Sequence, residues 1–98
     1  MGWASKYIEK LRDGEMVQFR PRGNSMTGLI KSGQLVTIIA FQSPLEKGDI
    51  VLCKVNGCEY LHKIIAIDGE RYQIGNNKGK INGWTDRKFI YGLCINIE

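Results

Sequence analysis

IVLCKVNGCEYLHKIIAI, residues 50–67, predicts a β-hairpin and with it the fold class of the chain. Asn56-Gly57 is typical of a two-residue type I′ turn, because both residues readily adopt a positive φ. The flanking segments, Ile50 to Val55 and Cys58 to Ile67, are rich in apolar and β-branched residues, which favours strands. We therefore expect two antiparallel strands joined by a tight turn.

The segments before the hairpin predict a short helix and two further strands. Apolar residues recur at helical spacing between Trp3 and Arg12, and Asp13-Gly14 is a stop signal, so we expect one amphipathic helix there. Strands are predicted at Met16 to Phe19 and at Leu35 to Phe41. Between them, Met26 to Ile30 is predicted to form one helical turn.

The segments after the hairpin complete a mainly β, antiparallel and partly closed domain. Asp68-Gly69 predicts a reversal that pairs Arg71 to Ile74 with the end of the preceding strand. Gly75 to Lys88 is rich in Gly, Asn and Lys and predicts a long loop, and Phe89 to Ile97 predicts a closing strand. We expect a single domain over residues 1–98, with the helix in 1–14 and the β core in 15–98.

Size and charge set broad limits on function. The chain has 98 residues, of which 43% are hydrophobic and 24% charged, enough for a modest core without a disulfide or a metal. The net charge of +4 permits a nucleic-acid or acidic partner without requiring one. No apolar run approaches the ~20 residues of a membrane span, so we expect a soluble protein without a membrane anchor.

The cysteines and the single histidine give no sign of a cofactor. Cys53, Cys58 and Cys94 cannot all pair, which indicates free thiols in a reducing, cytoplasmic setting. The chain lacks a Cys-x-x-Cys pair and a second histidine, so we expect no metal and no other cofactor.

The loop Arg20-Pro21-Arg22-Gly23-Asn24-Ser25-Met26-Thr27-Gly28 carries the candidate chemistry. It places the Ser25 hydroxyl beside glycines, where backbone N–H groups can stabilise an oxyanion, although such a loop is more often a plain turn. His62 lies on the predicted strand Cys58 to Ile67. A lone histidine there is more often structural, but an imidazole on a rigid strand suits a general base near neutral pH. Ser25 and His62 are therefore a candidate pair.

Three short motifs resemble, in this order, those of the LexA/signal peptidase-like (S24/S26) superfamily of serine peptidases. They are Gly23-Asn24-Ser25-Met26, Gly48-Asp49-Ile50-Val51 and Tyr60-Leu61-His62-Lys63-Ile64-Ile65. The resemblance extends over roughly residues 15–97 and implies the β fold of the LexA C-terminal and signal peptidase type. It also implies a serine endopeptidase, with Ser25 as the nucleophile and the backbone N–H groups of Asn24 and Ser25 as the oxyanion hole.

The general base and its partner follow from the same resemblance. His62 stands where most bacterial members carry a lysine, which is similar to the histidine variant of eukaryotic and archaeal signal peptidases. In that variant an aspartate follows a Gly-Asp-Asn-Asn-like box; here Gly75-Asn76-Asn77 is followed by Asp86, which is implied as the partner of the imidazole. Lys63 is a weaker candidate base, because strand alternation places it on the opposite face. Gly28 departs from the family, which usually has proline there.

The sequence is compatible with two functions. One is hydrolysis of a peptide or protein substrate that lies extended along a strand edge, with Ser25, His62 and Asp86 as the catalytic residues. The other is an inactive member of the fold that binds nucleic acid or protein, in which basic and aromatic side chains line a groove for a single strand. The residues predicted for that binding are Arg20, Arg22, Lys78, Lys80, Trp84 and Arg87. The sequence does not specify an oligomeric state.

Overall fold

A computed structural model describes residues 2–23, 25–41 and 44–98. Within these residues the chain forms one α-helix and a seven-stranded antiparallel sheet, which confirms the mainly β fold class. The elements are α1 (Ser5–Arg12), β1 (Val17–Phe19), β2 (Val36–Ile39), β3 (Ile50–Val55), β4 (Cys58–Asp68), β5 (Arg71–Gly75), β6 (Ile81–Asp86) and β7 (Ile90–Ile97). The strand order is β1-β2-β7-β3-β4-β5-β6, and a 3-10 turn, Arg87–Phe89, joins β6 to β7.

The predicted hairpin is confirmed and lies inside the sheet. β3 and β4 pair from Ile50 opposite Lys63 to Val55 opposite Cys58. The turn between them has φ 50 at Asn56 and φ 83 at the following glycine, as a type I′ turn requires. β4 is long enough to pair with β5 as well, so the middle of β4 is held between two neighbours.

Strand β3 is buried on both faces because one hydrophobic cluster covers each side of the sheet. Leu52 packs into a cluster with α1, β1 and β2, whereas its neighbours Val51 and Cys53 pack into a second cluster with β4 and β5. All three are 0% exposed. Burial of one such side chain stabilises the fold by about 1.5–3 kcal/mol, so the strands next to β3 are held firmly.

The sheet curls without closing. β1 and β6 are the end strands, yet the Thr85 hydroxyl of β6 donates to the Lys54 carbonyl of β3 at 2.7 Å. Register shifts between several strand pairs mark β-bulges, which increase twist and bending. In the described part of the chain, no helix is long and apolar enough to cross a membrane.

The prediction of a loop from Gly75 to Lys88 was wrong, since this segment contains β6 and the 3-10 turn. β6 is an end strand, so few of its side chains need to be apolar. Ile81 is 46% exposed and Trp84 is 39% exposed, whereas Thr85 is buried. The alternation of apolar and polar residues that reveals a half-buried strand is therefore too weak here to be recognised.

Substitution of Gly92 by alanine is expected to lower the free energy of unfolding by about 1–3 kcal/mol. A Cβ at this position of β7 would lie 2.5 Å from Ile38 Cγ2 and 2.9 Å from Leu11 Cδ1, so the core would have to move. Urea unfolding measures the change. Ile95→Ala is the control, because Ile95 lies on the same strand and is 53% exposed. Equal stability of Gly92→Ala and the native chain would contradict the close packing of α1 on β7.

Candidate active site

The serine loop is anchored to the core directly after Ser25. The backbone N–H groups of Leu29 and Ile30 donate to the Met26 carbonyl at 2.9 and 2.7 Å, which is the helical turn that was predicted. Met26 and Ile30 are 5% and 4% exposed and belong to the cluster beneath α1. Ser25 itself is half-buried at the start of this anchored turn. Asn24, which was predicted to share the oxyanion hole, lies outside the described residues.

Asn77, in the turn between β5 and β6, holds the serine loop against the sheet. Its backbone N–H donates to the Ser25 carbonyl at 2.9 Å, and its side-chain amide donates to the Thr27 carbonyl at 2.6 Å. Its Oδ1 accepts from Lys63 Nζ at 2.8 Å. Lys63, the weaker candidate base, thus binds the side chain that supports the loop.

The backbone conformation at Gly28 accounts for the absence of the proline that the superfamily usually has at this position. Its φ is +99, which a proline ring cannot adopt. A Cβ at this position would also lie 2.9 Å from Asn77 Nδ2. The glycine therefore allows Asn77 to approach the loop closely.

The structure brings Ser25 and His62 together although 37 residues separate them in sequence. The Ser25 hydroxyl oxygen lies 3.1 Å from His62 Nε2, which is hydrogen-bond distance. His62 is 8% exposed and stacks on the Tyr60 ring, with centroids 4.9 Å apart. Packing and the position on β4 together fix the orientation of the imidazole.

Asn82 is the partner of the second ring nitrogen. His62 Nδ1 lies 2.7 Å from Asn82 Oδ1. Because the amide oxygen can only accept, this assignment of the amide places the proton on Nδ1 and leaves the lone pair of Nε2 for the Ser25 hydroxyl. The ring is therefore in the tautomer that a general base needs.

Asp86 is not brought to the imidazole, contrary to its predicted role as the partner of His62. Its carboxylate lies 3.4 Å from Arg71 Nε, at the exposed far end of the β5–β6 pair. Four residues along a strand separate it from Asn82, or about 13 Å. The β5–β6 pairing has a bulge at which Ile74 pairs with Gly83 and Gly75 pairs with Ile81, so Asn82 is left unpaired between them. The side-chain amide of Asn82 contacts His62.

Sequence reasoning missed Asn82 because it missed the strand that carries it. An Asn-Gly pair inside a segment interpreted as a loop indicates only a turn. Recognition of β6 as an end strand with a bulge next to Asn82 would have been needed to place this side chain beside β4.

The surroundings of His62 favour its neutral form. Burial lowers the pKa of the imidazole from its usual value near 6.5, and the positive charge of Lys80 lowers it further. The hydrogen bond to Asn82 opposes this shift in part. At neutral pH the ring is thus unprotonated and able to accept the Ser25 proton.

The six predicted binding residues fall into two groups. Arg20 and Arg22 line a cleft of about 440 Å³ together with Ser25 and His62. The others lie on the β5–β6 turn, on β6 and in the 3-10 turn that follows. These four residues are Lys78, Lys80, Trp84 and Arg87. Trp84 is 39% exposed.

Arg87 makes internal contacts. Its guanidinium lies over the Phe41 ring, 5.0 Å from the centroid, and donates to the Tyr72 hydroxyl at 3.3 Å. These contacts give Arg87 a structural role near the second hydrophobic cluster. Among residues 2–23, 25–41 and 44–98, no group of three His, Cys, Asp or Glu side chains is arranged to hold a metal.

Comparison with known proteins identifies one family. The sequence model described as Peptidase S24-like matches residues 3–80. The match contains both Ser25 and His62 and ends before Asn82. A search of curated proteins finds no significant match to the chain.

Proposed function

The chain belongs to the Peptidase S24-like family, and from this membership we propose that it is a serine endopeptidase that uses Ser25 and His62. The observation that carries the proposal is the 3.1 Å contact between the Ser25 hydroxyl and His62 Nε2. A nucleophile within hydrogen-bond reach of a base, with the base oriented by a third group, is the arrangement of covalent catalysis by serine. Asn82 supplies that third group.

The proposed reaction proceeds through an acyl-enzyme. Ser25 Oγ attacks the peptide carbonyl carbon while its proton moves to His62 Nε2. The imidazolium then donates this proton to the leaving amine as the C–N bond breaks. In the second half, His62 takes a proton from water, whose oxygen attacks the ester carbonyl and releases the acid and the Ser25 hydroxyl.

The oxyanion of each tetrahedral intermediate needs hydrogen-bond donors that are in place beforehand. We assign this role to the backbone N–H groups of Asn24 and Ser25. The bonds that Asn77 makes to the Ser25 and Thr27 carbonyls fix the chain directly after these two N–H groups.

Asn82 distinguishes this site from one with a carboxylate partner. A neutral amide orients the imidazole and fixes its tautomer, but it stabilises the imidazolium less than a carboxylate does. Burial therefore keeps the pKa of the ring below its usual value, and the hydrogen bond to Asn82 opposes this shift only in part. We infer that the base is active at neutral and mildly acidic pH.

The cysteines support a cytoplasmic location as part of the proposal. In the described part of the chain, Cys53, Cys58 and Cys94 are free. Burial raises the pKa of Cys53 to about 12, so this thiol is unreactive. Free thiols are typical of proteins in a reducing compartment.

Reaction with a fluorophosphonate tests the proposed nucleophile directly. A Ser25 Oγ–P bond forms, the P–F bond breaks to release fluoride, and the hydroxyl proton passes to His62. Intact-mass and peptide mass spectrometry are expected to show one adduct, at Ser25, in the native chain and in a Ser5→Ala control. His62→Ala is expected to react at least about 100 times more slowly. Labelling elsewhere, or equal labelling of His62→Ala, would refute the pair.

A further inference from the structure

The cleft beside Ser25 and His62 has an aromatic wall formed by residues just before α1, on α1 and on β1. Trp3, Tyr7 and Phe19 line it, and their rings contact one another. The Tyr7 and Phe19 rings stack with centroids 4.4 Å apart, and the Trp3 ring meets Phe19 edge-on at 5.7 Å. The volume of about 440 Å³ is in the range of ligand sites and accommodates a bulky apolar side chain.

Trp3 presents part of this wall to solvent in a fixed position. Its indole N–H donates to the Glu59 carbonyl at 3.1 Å, yet the residue is 51% exposed. A large aromatic surface that is held rigidly and left exposed gains free energy when an apolar group covers it, at little cost in conformational entropy.

Three cations lie along the same cleft. Arg20, Arg22 and Lys31 all belong to its lining, and both Arg22 and Lys31 are exposed. Arg20 donates one guanidinium N–H to the Gly33 carbonyl at 2.8 Å, which fixes the position of its charge. These side chains make the cleft electropositive next to the serine.

The acidic residue of the cleft does not neutralise these cations. Among the described residues that line it, Glu59 is the one acid, and it is 8% exposed. Its two carboxylate oxygens accept from the Ala4 backbone N–H at 2.7 Å and from the Ser5 hydroxyl at 3.2 Å. Its charge thus stabilises the N-terminus of α1.

We propose that the cleft selects peptides in which a bulky apolar side chain is flanked by carboxylates. The apolar side chain packs on the wall of Trp3, Tyr7 and Phe19, and the carboxylates face Arg22 and Lys31. This proposal rests on the proposed function for its placement of the scissile bond beside Ser25. It goes beyond that function by naming the class of substrate.

Binding to a Ser25→Ala chain tests the substrate class without requiring hydrolysis. The probes are four fluorescein-labelled heptapeptides: a central Phe flanked by two Glu on each side, and versions with Phe replaced by Ala, or all Glu by Gln, or all Glu by Lys. Fluorescence anisotropy is expected to give a Kd for the first peptide at least about tenfold below each of the others. Its affinity is expected to fall as salt rises. Equal affinities across the series would overturn the proposal.

Substitutions in the cleft lining test whether the peptide binds in the cleft. Arg22→Gln combined with Lys31→Gln is expected to raise the Kd of the Phe/Glu peptide about tenfold and to remove its preference over the Gln version. Lys47→Gln, which removes the charge of an exposed lysine outside the cleft lining, is expected to leave the Kd unchanged. An equal loss in both variants would overturn the assignment to the cleft.

Cleavage by the native chain separates the two proposals. Selective binding without hydrolysis of the bound peptide would refute the peptidase and retain the cleft. Hydrolysis of all four peptides at equal rates would refute the selectivity and retain the peptidase.

Discussion

Ser25→Ala is expected to lower kcat/KM for peptide hydrolysis by at least about 1000-fold, because the substitution removes the group proposed to form the covalent bond. The free energy of unfolding is expected to change by no more than about 1 kcal/mol, since the hydroxyl is half-buried and its partner among the described residues is His62 Nε2. Hydrolysis of fluorogenic peptides measures the first quantity, and urea unfolding measures the second.

Ser32→Ala is the matched control for this substitution. Ser32 lies in the same connection between β1 and β2, is exposed, and accepts one hydrogen bond from the Gly23 backbone N–H at 3.3 Å. It is expected to keep kcat/KM within about twofold of the native chain, as surface substitutions usually do. Full activity of Ser25→Ala would rule out the nucleophile and with it the proposed mechanism.

Asn82→Ala is expected to lower kcat/KM about 100-fold, because His62 would lose the group that orients its ring. Asn82 holds Nδ1 at 2.7 Å and does not line the cleft, so the loss is expected in kcat rather than in KM. Steady-state kinetics on one peptide separates the two constants. A rise in KM at constant kcat would indicate a substrate-binding role instead.

Asn82→Asp is expected to keep activity and to move the acidic limb of the pH–rate profile to higher pH. In the proposed mechanism a neutral imidazole is the active form, so activity is expected to fall as the pH falls through the pKa of His62. In the native chain burial holds this pKa below 6.5, and a carboxylate beside Nδ1 would raise it. Asp86→Asn is the control, because that carboxylate pairs with Arg71 and its loss is expected to leave the limb in place. Identical pH profiles for Asn82→Asp and the native chain would contradict the contact.

Sequence patterns predicted the elements whose structure is decided locally or by burial. The β3–β4 hairpin was predicted from Asn56-Gly57, because these two residues readily adopt the positive φ angles of a type I′ turn. The buried segment Ile50–Val55 agrees with its predicted bounds, since both faces of β3 are covered and its residues are almost all apolar. The pairing of Arg71 to Ile74 with the end of β4 was predicted from the reversal before it, and the observed strand extends to Gly75.

The parts of the site that were not predicted depend on pairing between distant segments. β6 gains its hydrogen bonds from β5, and little in its own composition marks it as a strand. A bulge in that pair then places Asn82, rather than Asp86, at the imidazole. A single sequence pattern carries no information on such a bulge. Residue type and predicted position made Ser25 and His62 a candidate pair, and the resemblance of three short motifs strengthened that prediction.

The bond from the Asn77 backbone N–H to the Ser25 carbonyl has a consequence for measurement in solution. An amide hydrogen held in this way exchanges with deuterated solvent chiefly when its hydrogen bond opens. The Asn77 amide signal in an NMR spectrum is therefore a reporter of how often the backbone at Ser25 moves away from the sheet. Its exchange rate can be followed with no substrate in the tube.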